Sequence, residues 1–372
     1  MLSPHERQQA KLDGVHAALL RVPFFKNVGK ITKLERLSGA LTNASYKVTT
    51  KDGVYVLRLA GQGTSEYVDR TAEGHNARVA DAAGVNVEVL YFDAQNGTML
   101  TRFVEGITMD EKGFDLDSEA PARAALALKR VHGMGNVFRT RFDVFAVIDG
   151  YLELLRELGA PLPEDCYEVE REAVAVRRTL EASPLPLAPC HNDPWPGNLL
   201  DTGGRIYIID WEYSGMNDPM WDLSDLSVEA GFGPEQDRMM METYCGAAVP
   251  PVLYSRLVLY KAVSDLHWAL WGLIQHANDN PAEDFLTYAL GRLERCKALM
   301  GSIDFGRHLA MVRGVHKPRA SRSGYRINPA RRAPVYKVPG GVQRLPSSTA
   351  TAERAGPSLP LEGHDSTGVA AT

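Results

Sequence analysis

The sequence contains few cysteines and no long apolar run. Only four cysteines occur among 372 residues, and no two of them form a C-x-x-C pair, so neither a zinc knuckle nor a disulfide framework is predicted. The longest apolar stretches are far shorter than the roughly 20 residues that a membrane helix needs. The first residues, MLSPHER, lack the apolar core of a secretion signal. We therefore expect a cytoplasmic protein with reduced cysteines and no membrane span.

The sequence also lacks an excess of positive charge. Its 41 Lys and Arg residues oppose 46 Asp and Glu residues. Nine of the basic residues lie between Arg313 and Arg344, where no acidic residue occurs, so the preceding part of the chain is more acidic than the net charge of −5 indicates. An acidic body disfavours nucleic acid and attracts cationic small molecules. We expect no nucleic-acid partner.

The end of the chain differs from the rest in composition. From about Gly314 it is rich in Pro, Arg, Ser, Ala and Gly and shows neither helical nor strand periodicity, which predicts a disordered, basic, low-complexity tail at 313–372. The alternative to a solvated extension is that residues 319–344 dock on anionic lipid or RNA.

The remaining composition, 44% hydrophobic and 23% charged, is that of a globular protein large enough for two lobes. Residues 1–104 show helical spacing near 5–20 and then alternating strands around the turn Asp52-Gly53, which predicts a small lobe with an antiparallel sheet. Residues 105–312 should form a larger, mainly helical lobe, with helices predicted at 122–132, 147–158 and 169–180.

Three oxygen-bearing side chains recur within a short stretch of this second lobe. Asp193 and Asn198 lie in the loop sequence HNDPWPGNLL, and Asp210 ends the apolar run IYII that follows. Phosphoryl transfer needs a group that orients the attacking hydroxyl and hard oxygen ligands for magnesium. Asp193 suits the first role, and Asn198 and Asp210 suit the second. The alternative is a capped surface loop followed by a strand with an acidic end.

A phosphate-binding region is predicted in the first lobe. The small polar turn SGALTNAS could lay backbone N–H groups over phosphates, with the nucleotide contacts expected at Ser38, Leu41, Thr42 and Asn43. Arg58 lies in the strand VYVLRL, where a buried cation needs an anionic partner, and Glu73 in the helical stretch at 69–78 is the candidate. The alternative is an exposed strand arginine with a surface salt bridge.

The pattern H-x-D-x-x-x-x-N followed by I-D-W-E resembles the catalytic and metal-binding segments of the aminoglycoside phosphotransferase and choline kinase superfamily, relatives of protein kinases. The resemblance implies an α+β, two-lobed protein kinase-like fold, with one helix beside the small antiparallel sheet, and ATP and Mg²⁺ as cofactors. It also implies that the lobe at 1–104 binds the nucleotide and that the lobe at 105–312 carries catalysis and substrate binding. Arg58 would then clamp phosphates while Glu73 positions it, and V-L-R-L resembles the choline and ethanolamine kinase branch. Backbone groups from Arg102 to Val104 would bind the adenine edge.

The segment DWEYSGMNDPMWDLSD at 210–225 resembles the D-[FW]-E-Y region of choline kinase-like proteins. That resemblance implies that Glu212 and Tyr213 lie at the acceptor and that Asp222 fastens the catalytic loop. It also implies that Glu229 presents a carboxylate to the ammonium group of the substrate. The alternative is that Glu229 is an ordinary solvent-exposed residue of the helix and binds no ligand.

Two tryptophans, Trp268 and Trp271, lie on the same side of a predicted helix, in a stretch similar to the H-x-W-x-L-W-x-x-x-Q helix of eukaryotic choline and ethanolamine kinases. Aromatic faces attract quaternary ammonium, so the two indoles, with Tyr213 and Phe285 or Tyr288, could form a cation cage. The alternative is that they pack the core. One departure is Trp195, where choline kinases commonly have Gln; it could reshape the pocket mouth.

The sequence thus predicts an ATP- and Mg²⁺-dependent kinase that phosphorylates the hydroxyl of a small cationic alcohol, choline before others. Ethanolamine, another amino alcohol, thiamine and aminoglycosides remain alternative acceptors. A non-catalytic nucleotide-binding module and a tail-driven lipid or RNA adaptor are the alternatives outside this class. A homodimer is allowed by the sequence, but nothing in it requires one.

Overall fold

The computed structural model describes residues 14–26, 30–37, 43–61, 68–135 and 137–314. All of them fall in the first of two compact units, Met1–Val338; the second unit, Pro339–Thr372, lies outside the described residues. The predicted phosphate-loop residues Ser38, Leu41 and Thr42 lie outside them as well. So does the predicted tail, except for its first two residues.

A five-stranded antiparallel sheet forms the first lobe, as predicted. Its strands, in the spatial order β1-β2-β3-β5-β4, are β1 (Ile31–Arg36), β2 (Ala44–Thr50), β3 (Val54–Leu59), β4 (Val89–Asp93) and β5 (Thr98–Arg102). One face packs on helix α1, of which residues 14–21 are described, and buries Tyr46, Val48, Leu57 and Leu100. Because side chains alternate across a strand, Arg58 points away from this cluster, toward the second lobe.

Helix α2 (Arg70–Ala82) lies against β4. It begins at Asp69, whose carboxylate accepts from the amide of Ala72, a typical N-cap. Gly74 lets the helix approach the sheet closely, because a Cβ at this position would lie 2.3 Å from Cδ1 of Phe92. This close packing brings Glu73 beside the sheet strand that carries Arg58.

The second lobe is mainly helical, as predicted. Its helices are α3 (Glu111–Leu116), α4 (Ala120–His132), α5 (Val144–Glu157), α6 (Glu164–Ala182), α7 (Pro219–Glu229), α8 (Pro234–Cys245), α9 (Pro251–Ala277), α10 (Phe285–Met300) and α11 (Phe305–Gly314). The 27-residue helix α9 is central and packs against α5, α7, α10 and α11. The predicted helices are present, but α6 begins five residues earlier than expected, since its first turn is acidic and shows no apolar spacing.

Five short strands complete the lobe, namely β6 (Ile107–Thr108), β7 (Ala188–Cys190), β8 (Leu199–Asp201), β9 (Ile206–Ile208) and β10 (Gly215–Asn217). β8 pairs with β9, and β7 pairs with β10. The amide of Ile209 donates to the carbonyl of Asn198 at 2.9 Å, so the loop before β8 and the loop after β9 leave the sheet side by side.

The predicted fold class is confirmed: a small antiparallel sheet lobe precedes a larger helical lobe. No helix among the described residues combines the length and the apolar character that crossing a membrane requires.

Candidate functional site

The buried carboxylate of Asp222 fixes the loop that carries Asp193. Asp222 on α7 accepts hydrogen bonds from the amides of His191 at 2.7 Å and Asn192 at 2.8 Å. Its Oδ2 also lies 3.0 Å from Nε2 of His132. Asn192 has a φ of 69°, a left-handed conformation that few non-glycine residues adopt. The carboxylate therefore stabilises a turn that would otherwise be unfavourable, as the resemblance implied.

Asp193 and Asn198 lie together at the open side of this loop. The Nδ2 group of Asn198 donates to the backbone carbonyl of Asp193 at 3.0 Å and to its Oδ2 at 3.3 Å. With its amide nitrogen used in this way, Asn198 is left with a carbonyl oxygen that can bind a cation.

Asp210 follows β9 and also adopts a left-handed conformation, with a φ of 65°. Both of its carboxylate oxygens contact the first lobe. Oδ1 lies 2.6 Å from Nη1 of Arg58, and Oδ2 accepts from Nδ2 of Asn43 at 3.1 Å. Asp210 thus joins the two lobes through its side chain.

Carboxylate oxygens of Glu73, Asp210 and Glu212 lie within 4.8 Å of one another. Such a set of hard oxygen donors fits Mg²⁺ rather than a softer metal. Arg58 and Arg70 already neutralise part of its charge, and Arg58 pairs with Asp210 itself. That Asp210 and Asn198 hold the metal remains a prediction.

Arg58 and Arg70 form a buried network with these carboxylates. Arg58 pairs with Glu73 as well as with Asp210. Arg70 lies 2.6 Å from Glu73 and 2.6 Å from Glu212. Burial alone would lower the pKa of Arg58, but Glu73, Asp210 and Glu212 together raise it above its usual range. The predicted Arg58–Glu73 pair is present; its role in phosphate binding remains a prediction.

The sequence interpretation did not include Arg70. Its only signal was the i,i+3 spacing to Glu73, which is common in solvated helices. Asn43, in contrast, was assigned to the phosphate loop, and its amide instead bonds Asp210 and Glu212 at 3.1 Å each. Its Oδ1 accepts from the amide of Gly61 at 3.2 Å. Both residues therefore fix the acidic cluster from the first lobe.

The predicted adenine contacts lie at the end of β5. The amide of Arg102 donates to the carbonyl of Glu88, and the amide of Phe103 donates to the carbonyl of Val54. The amide of Val104 makes no hydrogen bond within the described part of the chain, so it is the one of the three that is open to a nucleotide. The side chain of Arg102 is exposed and pairs with Glu88.

A wall of aromatic rings lines α9 and α10. Trp268 and Trp271 meet edge to face with ring centroids 5.8 Å apart. Trp271 also contacts Phe285 at 5.4 Å and Tyr288 at 6.1 Å. Both tryptophans are half-buried, so part of each indole remains open to a ligand.

Two acids of α7 contact residues of α9 and α10. Asp225 accepts from Nε1 of Trp268 at 2.8 Å, and Glu229 lies 2.6 Å from Nη1 of Arg292. Glu229 is thus an ion-paired buried residue, neither solvated nor free. Burial and the charges of Asp225 and Asp210 raise the pKa of Asp193 well above its usual range. Asp193 therefore lies near other carboxylates, of which Asp225 and Asp210 affect its pKa most.

The other predicted acceptor contacts have structural partners of their own. Glu212 is bonded by Asn43 and Arg70, and the carbonyl of Tyr213 accepts from Nδ2 of Asn192 at 2.9 Å while its ring is half-buried. The indole of Trp195 folds over Gly197, where a Cβ would lie 1.9 Å from its Cζ3. Their contact with a substrate remains a prediction.

Comparison with known proteins agrees with this arrangement. The profile of the phosphotransferase enzyme family (APH) matches residues 33–260. Protein LicA of Haemophilus influenzae is 30% identical over 268 residues, which cover 70% of this chain and 78% of LicA. Among solved structures, a choline/ethanolamine kinase family protein from Mesorhizobium loti is 47% identical with a TM-score of 0.74, covering 82% of this chain and 99% of that one. Choline kinase LicA from Streptococcus pneumoniae is 26% identical with a TM-score of 0.63, covering 79% and 99%.

Proposed function

The chain belongs to the phosphotransferase enzyme family, and from this membership we propose that it transfers the γ-phosphoryl group of ATP, with Mg²⁺, to the hydroxyl of choline. The observation that carries the proposal is one juxtaposition. Helix α7 contacts both the loop of Asp193, through Asp222, and the Trp268–Trp271 wall, through Asp225.

Asp193 would orient the acceptor hydroxyl and receive its proton. Its raised pKa favours proton uptake, and its hydrogen bond from Asn198 fixes its position. Asn198 and Asp210 would hold the metal. When bound, Mg²⁺ neutralises charge on the phosphate oxygens.

Arg58 would contact the phosphates from the opposite side of the cleft. Its guanidinium is buried, permanently charged and already oriented by Glu73. A planar guanidinium can contact two phosphate oxygens at once, which a lysine ammonium does not do with the same geometry. Arg70 keeps Glu73 and Glu212 paired, so Arg58 can turn toward phosphate without leaving Glu73 unpartnered.

The aromatic wall supports choline as the acceptor. Quaternary ammonium has no N–H to donate, so recognition depends on aromatic faces and on negative potential, and this wall offers both. Two similar proteins, a choline kinase and a choline/ethanolamine kinase family protein, support the same substrate class. Ethanolamine is the second candidate, because buried carboxylates could accept from its primary ammonium group.

An acceptor panel tests the proposal. Purified protein with γ-labelled ATP and Mg²⁺ is assayed with choline, ethanolamine, thiamine and an aminoglycoside, with Asp193→Asn as the inactive control. We expect choline to give the highest kcat/KM. A higher value for ethanolamine would replace choline as the substrate, and the absence of ATP turnover with every acceptor would indicate a nucleotide-binding module.

A single substitution tests the wall. Trp271→Ala removes one indole face from the acceptor side and leaves the nucleotide side intact. We expect the KM for choline to rise by about tenfold or more, in keeping with a lost cation–π contact of about 1.5 kcal/mol, while the KM for ATP changes little. Phe305→Leu, a buried aromatic on α11, is the control for general loss of packing; equal rises in both KM values would assign Trp271 to the core.

A further inference from the structure

The charges between α7, α9 and α10 do not balance. Two guanidiniums face three carboxylates here. Arg292 lies 2.6 Å from Glu229 and 3.4 Å from Asp265, and Arg295 lies 2.6 Å from Asp265. Asp225 forms no ion pair with any Lys or Arg among the described residues. It is therefore the carboxylate of this cluster that lacks a cationic partner. Burial and the charge of Glu229 raise the pKa of Asp225 well above its usual range, and a cation bound beside it would favour its charged form.

Asp225 is held at one oxygen only. Its Oδ1 accepts from Nε1 of Trp268 at 2.8 Å and from Oγ of Ser264 at 2.7 Å. Its Oδ2 is buried and has no hydrogen-bonding partner in the part of the chain that the structure describes. Because the residue has no exposed surface, bulk water does not replace that partner. A buried carboxylate with an unsatisfied oxygen costs free energy, and a nearby cation would offset that cost.

We propose that Asp225, acting through the indole of Trp268, supplies the negative charge that selects a cationic acceptor over a neutral one. This inference rests on the proposed function and deepens it. A carboxylate that accepts the indole N–H pushes electron density onto the ring, which makes its face more attractive to an ammonium group. Glu229, which the sequence resemblance assigned to this task, forms a neutral pair with Arg292 and contributes less.

The position of Asp225 fits a small amino alcohol. Asp225 lies one helical turn after Asp222, whose carboxylate accepts from the amides of His191 and Asn192, the two residues before Asp193. After burial, Asp225 is the first cause of the raised pKa of Asp193, in keeping with this placement. The hydroxyl and the ammonium of choline are separated by only two carbons. A hydroxyl at Asp193 and an ammonium against the Trp268 face are therefore compatible with one short molecule.

Asp225→Asn tests the inference, since it keeps an oxygen for Trp268 and Ser264 and removes the charge. Choline is compared with its neutral isostere, 3,3-dimethylbutan-1-ol, assayed as a competitive inhibitor. We expect the KM for choline to rise by about tenfold, the value for a lost interaction of about 1.4 kcal/mol. The test compares binding of the two ligands and not kcat, because Asp225 also affects the pKa of Asp193. The inhibition constant of the isostere should change by less than about twofold, because it carries no charge. Equal changes for both ligands would show a purely structural role and overturn the inference.

Two further variants keep the test decisive. Asp237→Asn removes another buried acid, on α8, which contacts Ser227 and lies 2.7 Å from Lys261; it should lower stability without altering the preference for charge. If Asp225→Asn does not fold, Trp268→Phe takes its place, because phenylalanine keeps a ring but has no N–H for the carboxylate. An unchanged preference for choline over the isostere in that variant would overturn the inference.

The failure of the proposed function is distinguishable from that of the inference. If the wild-type protein phosphorylates ethanolamine instead, the same comparison is made between ethanolamine and propan-1-ol, its neutral isostere. If no cationic alcohol is phosphorylated, the proposed function and the inference both fall. If choline is phosphorylated and Asp225→Asn leaves the preference for charge unchanged, only the inference falls.

Discussion

Each of the two buried arginines at the site forms ion pairs with more than one carboxylate. Arg58 contacts Glu73 and Asp210, and Arg70 contacts Glu73 and Glu212. Each guanidinium can do so because its planar fork directs several N–H groups at once. The loss of one arginine therefore removes a cation from two carboxylates, although Glu73 keeps the other arginine.

Arg70 provides a direct test of this dependence. We expect Arg70→Met to lower the free energy of unfolding by about 3–5 kcal/mol, since it leaves Glu73 and Glu212 buried without that cation. Urea denaturation followed by circular dichroism measures the change. Adding Glu212→Gln should recover part of the loss, as in a double-mutant cycle. Arg177→Met removes an exposed arginine that pairs with Asp149 and Glu181 and should cost less than about 1 kcal/mol; an equal cost for both arginines would contradict the network.

A short sequence pattern predicted Asp193, Asn198 and Asp210, because phosphoryl transfer needs an acceptor-orienting carboxylate and oxygen ligands for a metal. Arg58 and Glu73 were predicted from a strand cation with a candidate partner in the next helix, together with the resemblance to kinases. The structure brings Asp193 beside Asn198 and Asp210 beside Arg58. Arg70 and Asp225 could not be found in this way. Their importance comes from neighbours that are 142 residues away for Arg70 and 43 residues away for Asp225.

Among the secondary-structure elements, α2 is the one whose packing decides the position of a site residue. Gly74 faces Phe92 of β4 so closely that a Cβ would lie 2.3 Å from the ring. Neighbouring Glu73 owes its contact with Arg58 to this approach.

We therefore expect Gly74→Ala to destabilise the protein by about 1–3 kcal/mol through overpacking, although alanine is intrinsically the better helix former by about 1 kcal/mol. Thermal or urea denaturation checks the sign. Gly291→Ala in α10 is the matched control, because a Cβ there meets nothing within 4 Å, and it should stabilise the protein slightly. A stabilising Gly74→Ala would show that α2 can move away from the sheet at little cost.

Helix α9 contains a buried histidine that should make stability depend on pH. Burial lowers the pKa of His267 from 6.5 to about 3, and its ring stacks on Tyr151. Between these two values the unfolded chain binds a proton that the folded chain does not. Stability therefore falls as pH falls through that window.

We expect His267→Gln to remove this contribution. Near pH 5 the free energy of unfolding of the wild-type protein should change with pH more steeply than that of the variant, by up to about 1.4 kcal/mol per pH unit. Denaturation series from pH 7 to pH 4 measure both slopes. Parallel slopes would mean that His267 takes up its proton in the folded protein.

Element types were predictable where periodicity extends over ten or more residues, as in α4, α5 and α6. The short strands β7, β8 and β10 were not predicted, because three residues show no alternation that differs from chance. Their pairing is imposed by the lobe around them, and it sets the two site loops side by side.

In the whole molecule, the two lobes are joined at the site by polar side chains. Asn43, Arg58 and Arg70 of the first lobe reach Asp210 and Glu212 of the second. A metal ion at Asp210 would therefore compete with Arg58 and Asn43 for the same carboxylate oxygens.

We expect ATP with Mg²⁺ to raise the Tm by several degrees, as binding at about 100 times the Kd adds about 2.7 kcal/mol. ATP with a chelator should give a smaller shift. Differential scanning fluorimetry of the wild-type protein and Asp210→Asn separates the two contributions. A metal-dependent shift that persists in Asp210→Asn would place the cation elsewhere.

Asp222, Asp225 and Glu229 lie at i, i+3 and i+7 of α7, along one side of a single helix. The first secures the loop of Asp193, the second holds Trp268, and the third neutralises Arg292. Under the proposed function, helix α7 fixes the distance between the hydroxyl oxygen at Asp193 and the ammonium group at the aromatic wall. α7 then selects acceptors by length. A molecule one methylene longer or shorter could place its hydroxyl at Asp193 or its ammonium at Trp268, but not both at once.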